Sequence, residues 1–185
     1  MRNAAPVCGN ARRNIVLVGP MGSGKSHVGR LLAQRLGLEL VDVDARIEAG
    51  AGMPIPAIFA AEGEAGFRSR ERAMLAQALA LHGQVIATGG GAVLDAGNRA
   101  AMQAAGWVVY LHVEADEQLR RLAGDRGRPL LAVEDRAQRL RELQAVREPL
   151  YREVAGLVFE TSGRTAAWIA DALTARFNHR EDCRA

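Results

Sequence analysis

The chain alternates short, continuous apolar runs with longer stretches in which apolar residues recur at helical spacing. The apolar runs are rich in Val, Ile and Leu, and Gly, Pro or acidic residues follow most of them. Runs of this kind are typical of strands that are buried on both faces of a parallel sheet. We therefore predict strands at residues 14–18, 38–41, 84–88, 107–111 and 157–160.

The stretches between these runs have the pattern of amphipathic helices. After Lys25, for example, apolar residues follow helical periodicity as far as Leu36, and Gly37 provides a stop signal. Helices are predicted at residues 25–36, 44–49, 55–61, 65–81, 95–105, 115–123, 135–154 and 166–177. Strands that alternate with helices indicate an α/β fold with parallel strands and helices on both faces of the sheet. Ligands of such proteins bind beyond the carboxyl ends of the strands.

Length and composition fit one globular domain. The chain has 185 residues, of which 49% are hydrophobic and 24% are charged, which is enough for a single buried core. We assign residues 14–178 to this domain, 1–13 to a disordered N-terminal tail and 179–185 to a C-terminal tail. Within the domain, residues 124–134 combine Gly, Pro and charges of both signs, and we expect them to form a mobile lid.

Charge and cysteine content limit the possible partners and location. The formal net charge is +3, the aromatic content is 4%, and no Lys/Arg run is longer than two residues, which argues against a nucleic-acid partner. Cys8 and Cys183 provide neither a disulfide framework nor a metal-binding spacing, and they fit a reducing cytosol. We see neither the apolar core of a signal peptide nor a membrane span, so we expect a cytoplasmic protein without a membrane partner.

The strongest chemical motif is Gly-Pro-Met-Gly-Ser-Gly-Lys-Ser, directly after the first predicted strand. Its spacing is that of a phosphate-binding loop, in which the backbone amides of Gly22, Ser23 and Gly24 would point at phosphate oxygens. Lys25 is the only lysine in the chain, and a compact ammonium suits a crowded polyphosphate better than a planar guanidinium does. Ser26 would offer its hydroxyl to the Mg²⁺ of a nucleoside triphosphate.

Two carboxylates, Asp42 and Asp44, follow the second predicted strand. In an extended segment both side chains would point to the same face and into one cleft. No acidic residue ends the third predicted strand, so we assign Asp42 to the metal through a bound water molecule. Asp44 would orient the acceptor hydroxyl and take its proton. A second interpretation is that Asp44 caps the next helix, and capping and catalysis could coexist in this pair.

Further arginines and glycines are candidates for an anion-binding pocket. Arg68 and Glu71 have helical spacing, so the carboxylate could hold the guanidinium in position, although such a pair is most often a surface ion pair. The triple glycine at residues 89–91 either allows a ligand to approach the backbone closely or forms a tight turn. Arg147 is either a second clamp for a carboxylate or a surface arginine.

The predicted lid and the helix before it contain Arg121, Arg126 and Arg128. Glycines flank the last two, so the segment could swing and bring positive charge over a bound triphosphate while excluding water. The alternative is a solvated, charged loop without a ligand.

Taken together, these motifs closely resemble those of the shikimate kinase family. The resemblance spans about residues 14–177 and includes the phosphate-binding loop, Val-Asp-Val-Asp-Ala-Arg-Ile-Glu, Ile-Phe-x-x-Glu-Gly-Glu-x-x-Phe-Arg-x-x-Glu, Thr-Gly-Gly-Gly, Arg-Pro-Leu-Leu and Arg-x-Pro-Leu-Tyr. It implies a P-loop fold like that of nucleoside monophosphate kinases, with a five-stranded parallel sheet flanked by helices. It also implies a monomer that uses ATP and Mg²⁺ to phosphorylate the 3-hydroxyl of shikimate.

The resemblance also assigns roles to individual residues. The family's contacts with shikimate fall on Asp44, Arg68, Gly89, Gly90, Gly91 and Arg147. Its nucleotide contacts fall on the phosphate-binding loop, on Arg121 and on Arg164 near the adenine, and its lid arginine falls on Arg128. After Gly-Lys-Ser the family usually has Thr, whereas this chain has His27, which either contacts phosphate or is a tolerated surface change.

Three other functions stay open at this point. A kinase for another polyol acid, such as gluconate, would keep the phosphate-binding loop but would not need the triple glycine or Arg-Pro-Leu-Leu. An ATP-binding module without catalysis would have no need for Lys25 and Asp44. A nucleoside monophosphate kinase would need more aromatic or amide side chains near the acceptor than this sequence offers.

Overall fold

The computed structural model describes residues 13–124, 129–131 and 133–182. One sheet contains all of the strands in this part of the chain: β1 (Asn14–Val18), β2 (Glu39–Asp42), β3 (Gln84–Ala87), β4 (Gly106–His112) and β5 (Leu157–Glu160). The strands are parallel and lie in the order β2-β3-β1-β4-β5. The predicted five-stranded parallel sheet is confirmed, and every strand boundary lies within one residue of the prediction.

Helices connect successive strands and cover both faces of the sheet. They are α1 (Lys25–Leu36), α2 (Val43–Ala51), α3 (Ile55–Leu79), α4 (Ala96–Ala105), α5 (Ala115–Leu122), α6 (Arg136–Val154) and α7 (Ala166–Asp182). Short 3₁₀ turns occupy Ala92–Leu94 and Pro129–Leu131. Within the described ranges, no helix is both long enough and apolar enough to cross a lipid bilayer.

The central strand β1 separates two hydrophobic cores. Ile15 and Leu17 pack into a core shared with α1 and α7, whereas Val16 and Val18 pack into a core shared with α2, α3, α4 and α6. All residues of β1 are buried. Burial on both faces explains why β1, β3 and β4 are nearly continuous apolar runs rather than alternating ones.

The beginning of α2 differs from the prediction. The Val-Asp-Val-Asp segment is extended only as far as Asp42, which has φ −91° and ψ 111° and caps the helix that begins at Val43. The helix also continues beyond the predicted end, through Gly50 to Ala51, and it stops where Gly52 adopts a left-handed conformation with φ 67°. The expectation of an extended segment through Asp44 is therefore wrong, because the helix begins at Val43, one residue before Asp44, with Asp42 as its cap.

Two further helix boundaries also differ. The predicted helices 55–61 and 65–81 form one element that is broken at Gly63, where φ is 68° and ψ is −177°. Helix α7 continues five residues past its predicted end at residue 177, so the predicted start of the C-terminal tail at residue 179 falls inside it. His179 and Arg180 in its last turn favour the longer helix, because basic groups interact well with a helix C-terminus.

Several predicted features lie outside the described residues. These are residues 1–12 of the N-terminal tail with Cys8, the lid segment 125–128 with Arg126 and Arg128, and Cys183. At the end of the predicted lid, Leu131 packs against Leu122 and Leu140 in a small separate cluster.

Candidate active site

The loop between β1 and α1 wraps around the ammonium group of Lys25. Gly22 and Gly24 have φ values of 77° and 92°, a left-handed conformation that glycine adopts without strain. The Nζ atom of Lys25 donates hydrogen bonds to the carbonyl oxygens of Gly19 and Pro20, both at 2.8 Å. Because α1 begins at Lys25, the positive end of its dipole lies at the same loop. This geometry suits the binding of phosphate groups.

A cleft of about 700 Å³ opens beside this loop, at the carboxyl ends of the neighbouring strands. Its lining includes most of the predicted site residues: Gly22, Gly24, Lys25, Ser26, His27, Asp42, Asp44, Arg68, Gly89, Gly90, Gly91, Arg121 and Arg147. Ser23 is buried within the loop, and Arg164 lines a neighbouring depression. Arg128 lies outside the described residues.

The two aspartates reach the cleft from the start of α2. The Oδ1 atom of Asp42 accepts a hydrogen bond from the backbone amide of Ala45 at 3.2 Å, so Asp42 is the helix cap. Asp44 lies in the first turn of α2, and the interpretation of Asp44 as the cap is therefore wrong. Asp44 packs against Gly89, since a Cβ atom added to that glycine would lie 2.9 Å from Asp44 Oδ1.

Arg68 and Glu71 form a mostly buried ion pair in the wall of the cleft. The Nη1 atom of Arg68 donates to Glu71 Oε2 at 2.7 Å, and its Nη2 atom donates to Glu64 Oε1 at 3.1 Å. The side chain of Glu71 is only 2% exposed, so the interpretation as a surface pair is wrong. Burial and the charge of Asp44 raise the pKa of Glu71, while the charges of Arg68 and Arg147 act against that rise.

The triple glycine lies directly against these charged groups. A Cβ atom on Gly89 would collide with the carboxylate of Glu71, and one on Gly91 would collide with the guanidinium of Arg68. Gly89 also accepts a hydrogen bond from the amide of Ala92 at 3.2 Å, at the start of a 3₁₀ turn. The interpretation as a turn is therefore confirmed, and the close approach of a ligand to this backbone stays a prediction.

Arg147 is a buried arginine on α6, only 5% exposed, so it is not a surface arginine. Burial lowers the pKa of Arg147, and the charge of Arg68 acts in the same direction, which indicates that the two guanidinium groups are close enough to repel each other. Among the residues that the structure describes, Arg147 has no carboxylate within salt-bridge distance. Two neighbouring cations of this kind favour the binding of an anion.

A second depression, of about 310 Å³, lies beside the phosphate-binding loop. Arg121 and Arg164 line it together with Ser23, Gly24 and His27. Arg121 is fixed in place, because it pairs with Glu117 at 2.7 Å and donates to the backbone oxygens of Gly22 and Thr161 at 3.2 and 2.9 Å.

Arg164 lies with its guanidinium carbon 4.5 Å from the centroid of the Trp168 ring. The structure thus places the predicted nucleotide residues Arg121, Arg164 and His27 around one depression.

Sequence reasoning missed several residues of the cleft. Phe59 and Phe67 line it, with ring centroids 4.7 Å apart, and Glu48 lines it while its Oε1 atom accepts a hydrogen bond from the amide of Ile55 at 2.9 Å. Both phenylalanines belong to the Ile-Phe-x-x-Glu-Gly-Glu-x-x-Phe-Arg-x-x-Glu motif, but helical periodicity alone does not separate them from ordinary core residues. Tyr151 was also missed, although it ends the Arg-x-Pro-Leu-Tyr motif.

Comparisons with known proteins identify the family. The family profile of shikimate kinase matches residues 21–178. The shikimate kinase of Stenotrophomonas maltophilia (strain K279a) is 54% identical over 158 residues, which cover 85% of this chain and 88% of that protein. The shikimate kinase of Pseudomonas aeruginosa (strain LESB58) is 52% identical over 163 residues, which cover 88% of this chain and 95% of that protein.

A solved structure agrees with the sequence comparisons. Shikimate kinase from Acinetobacter baumannii in complex with shikimate matches the structure with a TM-score of 0.89 and 46% sequence identity, over 91% of this chain and 94% of that chain. The chain therefore belongs to the shikimate kinase family.

Proposed function

We propose that this chain transfers the γ-phosphoryl group of ATP to the 3-hydroxyl of shikimate and releases shikimate 3-phosphate and ADP. One observation carries the proposal: a single cleft contains a phosphate-binding loop and two largely buried arginines, Arg68 and Arg147, with the carboxylate of Asp44 in the same lining. Membership of the shikimate kinase family and the shikimate in the Acinetobacter baumannii structure support this choice of acceptor.

The two arginines would bind the carboxylate of the acid. Their charges repel each other in the wall of the cleft, so an anion between them would stabilise both. Glu71 holds the Arg68 guanidinium at 2.7 Å, which orients it before the substrate arrives and lowers the entropy lost on binding. Gly89 and Gly91 let the backbone lie close to Glu71 and Arg68, where a side chain would collide with those groups, and this backbone would contact the ring of the acid.

Asp44 would orient the acceptor hydroxyl and take its proton. As the acceptor oxygen forms its bond to the γ-phosphorus, the bond from that phosphorus to the β,γ-bridging oxygen breaks and ADP leaves. Lys25 is held at the loop by two backbone carbonyls and would stabilise the charge that spreads over the phosphoryl oxygens. We also propose that Arg128 acts as the lid arginine over the same group.

The residues present fit a Mg²⁺ ion. Ser26 and Asp42 line the same cleft and offer a hydroxyl and a carboxylate, which are the hard oxygen donors that Mg²⁺ prefers. Asp42 uses its Oδ1 atom to cap α2, so its Oδ2 atom is available to a metal-bound water molecule. When bound, Mg²⁺ neutralises charge on the β- and γ-phosphates.

The remaining parts of the nucleotide would lie along the phosphate-binding loop. We propose that the amides of Gly22, Ser23 and Gly24 contact phosphate oxygens, with His27 beside them. Arg121 and Arg164 would contact the nucleoside in the second depression, where Arg164 is positioned next to the Trp168 ring.

An assay of ADP release with different acceptors tests the proposal. We expect ADP release to depend on shikimate and not on gluconate or a nucleoside monophosphate, and we expect Lys25→Met to abolish it without loss of folding. ADP release with gluconate or a nucleoside monophosphate instead would contradict the proposed acceptor. ATP binding without turnover on any acceptor would indicate a binding module.

We further propose that the chain acts as a monomer in the cytoplasm, without nucleic-acid or membrane partners. The absence of a disulfide framework supports a reducing compartment, and the low aromatic content argues against a nucleic-acid partner. The monomer follows from the resemblance to the family. Sedimentation at increasing protein concentration tests the monomer, and a concentration-dependent rise in mass would contradict it.

A further inference from the structure

Behind the triple glycine, one hydroxyl joins two groups of the proposed shikimate site. The Oη atom of Tyr151 donates a hydrogen bond to the carbonyl oxygen of Gly90 at 2.5 Å. The Arg147 guanidinium lies close enough to this hydroxyl for its charge to act against the effect of burial on the pKa of Tyr151. A guanidinium can only donate hydrogen bonds, so Oη faces it as an acceptor. Tyr151 therefore lies between the buried arginine of α6 and the backbone of the glycine segment.

The ring that carries this hydroxyl is held firmly in the core. Tyr151 is only 1% exposed, and its ring stacks on that of Tyr110 with centroids 5.0 Å apart and an interplanar angle of 26°. It follows Arg147 by four residues on α6, the spacing that brings two side chains to the same helix face. Burial raises the pKa of Tyr151 to about 12, so the hydroxyl keeps its proton and continues to donate to Gly90 near neutral pH.

Both partners need such a constraint. The Arg147 side chain is long and flexible, its charge is repelled by that of Arg68, and among the described residues no carboxylate pairs with it. Gly90 lies between two functional regions, because a Cβ atom there would be 3.5 Å from the amide nitrogen of Met21 and 3.7 Å from Nη1 of Arg147. The oxygen of the Tyr151 hydroxyl would hold the Arg147 guanidinium in position, and the hydrogen of the same hydroxyl would hold the Gly90 carbonyl.

We propose that Tyr151 is a positioning residue for recognition of the acid, and that it fixes the Arg147 guanidinium and the Gly90 carbonyl before the substrate carboxylate binds. The inference rests on the proposed function for the identity of the acid. It assigns to Tyr151 a role in acceptor binding and none in ATP binding or in phosphoryl transfer.

The test compares Tyr151→Phe with Tyr110→Phe. Both changes remove one buried hydroxyl and leave the stacked rings in place, but among the described residues the Tyr110 hydroxyl has no hydrogen-bond partner. We expect Tyr151→Phe to raise the KM for shikimate by about five- to tenfold, the loss expected for one intramolecular hydrogen bond. We expect kcat and the KM for ATP to stay within about twofold, and we expect Tyr110→Phe to match the wild type in all three.

A second substrate shows whether Tyr151→Phe disturbs recognition of the carboxylate or causes a general loss of structure. The methyl ester of shikimate lacks the anionic carboxylate, so its KM is expected to be high and equal in the wild type and in Tyr151→Phe. An equal rise in KM for the ester and the acid would contradict the inference. An unchanged KM for shikimate in Tyr151→Phe would also contradict it, as would a parallel rise in the KM for ATP.

Turnover of the wild type with shikimate is measured first, so that the two proposals can be judged separately. Absence of this turnover would contradict the proposed function alone. In that case the KM for the acceptor, the KM for ATP and kcat of the two variants would be measured on whichever carboxylate-bearing acceptor the wild type phosphorylates.

Discussion

Several residues of the cleft carry charges that lie beside like charges. Arg68 and Arg147 repel each other, and Asp44 raises the pKa of the buried Glu71. A like charge nearby disfavours the charged form of a buried group, and an opposite charge or a polar group of a bound ligand would offset this effect. Substitutions of these residues are therefore expected to change mainly substrate binding and turnover, because the carboxylate and hydroxyl groups of a bound acid interact with these charges.

Asp44 is the residue whose replacement separates catalysis from helix structure. Because Asp42 caps α2, Asp44→Asn is expected to leave the melting temperature unchanged and to lower kcat by about 10²- to 10⁴-fold, the usual contribution of a general base. Steady-state kinetics and a thermal melt measure the two effects. The control is Asp116→Asn, which changes an exposed aspartate in the first turn of α5. Unchanged kcat in Asp44→Asn would remove Asp44 from the chemistry.

Substitution of Gly91 tests whether shikimate binding requires the backbone to lie close to the Arg68 guanidinium. A Cβ atom there would collide with the Arg68 guanidinium, so Gly91→Ala is expected to raise the KM for shikimate by about tenfold or more, the equivalent of one charge-assisted hydrogen bond. The control is Gly50→Ala, because Gly50 lies in α2 with nothing within 4 Å of an added Cβ atom. It is expected to stabilise the fold by about 0.5–1 kcal/mol without changing KM. Similar kinetics for the two variants would show that the space beside Gly91 is not needed.

At the scale of elements, β2 ends at Asp42 and α2 begins at the next residue. Asp42 therefore caps the helix and can also hold the metal-bound water, and two substitutions separate these roles. Asparagine caps a helix about as well as aspartate, whereas alanine does not. Asp42→Ala is therefore expected to lower stability by about 1 kcal/mol, and Asp42→Asn is expected to keep it. Both variants lose the carboxylate, so both are expected to need more Mg²⁺ for half-maximal activity. An unchanged Mg²⁺ requirement in both would remove Asp42 from the metal site.

The ends of β4 and β5 are joined by a carboxylate with a shifted pKa. Glu160 contacts Nδ1 of His112 and accepts a hydrogen bond from the amide of Ser162 at 2.8 Å, with Glu148 and Glu114 nearby. Burial raises the pKa of Glu160, but hydrogen bonds from Ser162 and the interaction with His112 outweigh burial and lower this pKa to about 2. The ionised group therefore stabilises the folded state above pH 4.5, the ordinary pKa of a glutamate, and this stabilisation is lost as the pH falls through about 2.

Thermal melts of the wild type and Glu160→Gln between about pH 2 and pH 5 test this. The difference in melting temperature is expected to be largest at the upper end and to disappear at the lower end. The effect should be modest and reduced by salt, because the Glu160 side chain is 49% exposed. A difference that does not change with pH would contradict the assigned pKa shift.

At the scale of the whole molecule, the cleft collects loops and helices from along the chain at one edge of the sheet. Ligand binding should therefore stabilise the entire domain, by about 2.7 kcal/mol at a ligand concentration 100 times Kd. Arg147→Ala is expected to abolish most of the rise in melting temperature caused by shikimate and to keep the rise caused by ATP. Arg141→Ala, at an exposed position on the same helix, is the control. The opposite pattern in Arg147→Ala would place Arg147 on the nucleotide side.

The parts of the fold that could be predicted are those with local causes. Strand positions followed from apolar runs, because the three central strands are buried on both faces, and the phosphate-binding loop followed from its glycines and Lys25. The start of α2 could not be located, since both Asp42 and Asp44 are good caps and only the end of β2 decides between them. The end of α7 was missed for a similar reason: Arg180 lies 5.9 Å from the centroid of the Trp107 ring, a contact with a distant strand.

The sequence alone determined the order of strands and helices, the phosphate-binding loop and the set of residues available for the chemistry, because spacing along the chain specifies each of these. The tertiary structure decided which charges meet. Arg68, the glycines at residues 89–91 and Arg147 lie on separate elements, and packing of α3 and α6 on one face of the sheet brings them together with Asp44 and Tyr151. Burial there turns what could have been surface residues into an anion-binding pocket, because charges interact more strongly away from water.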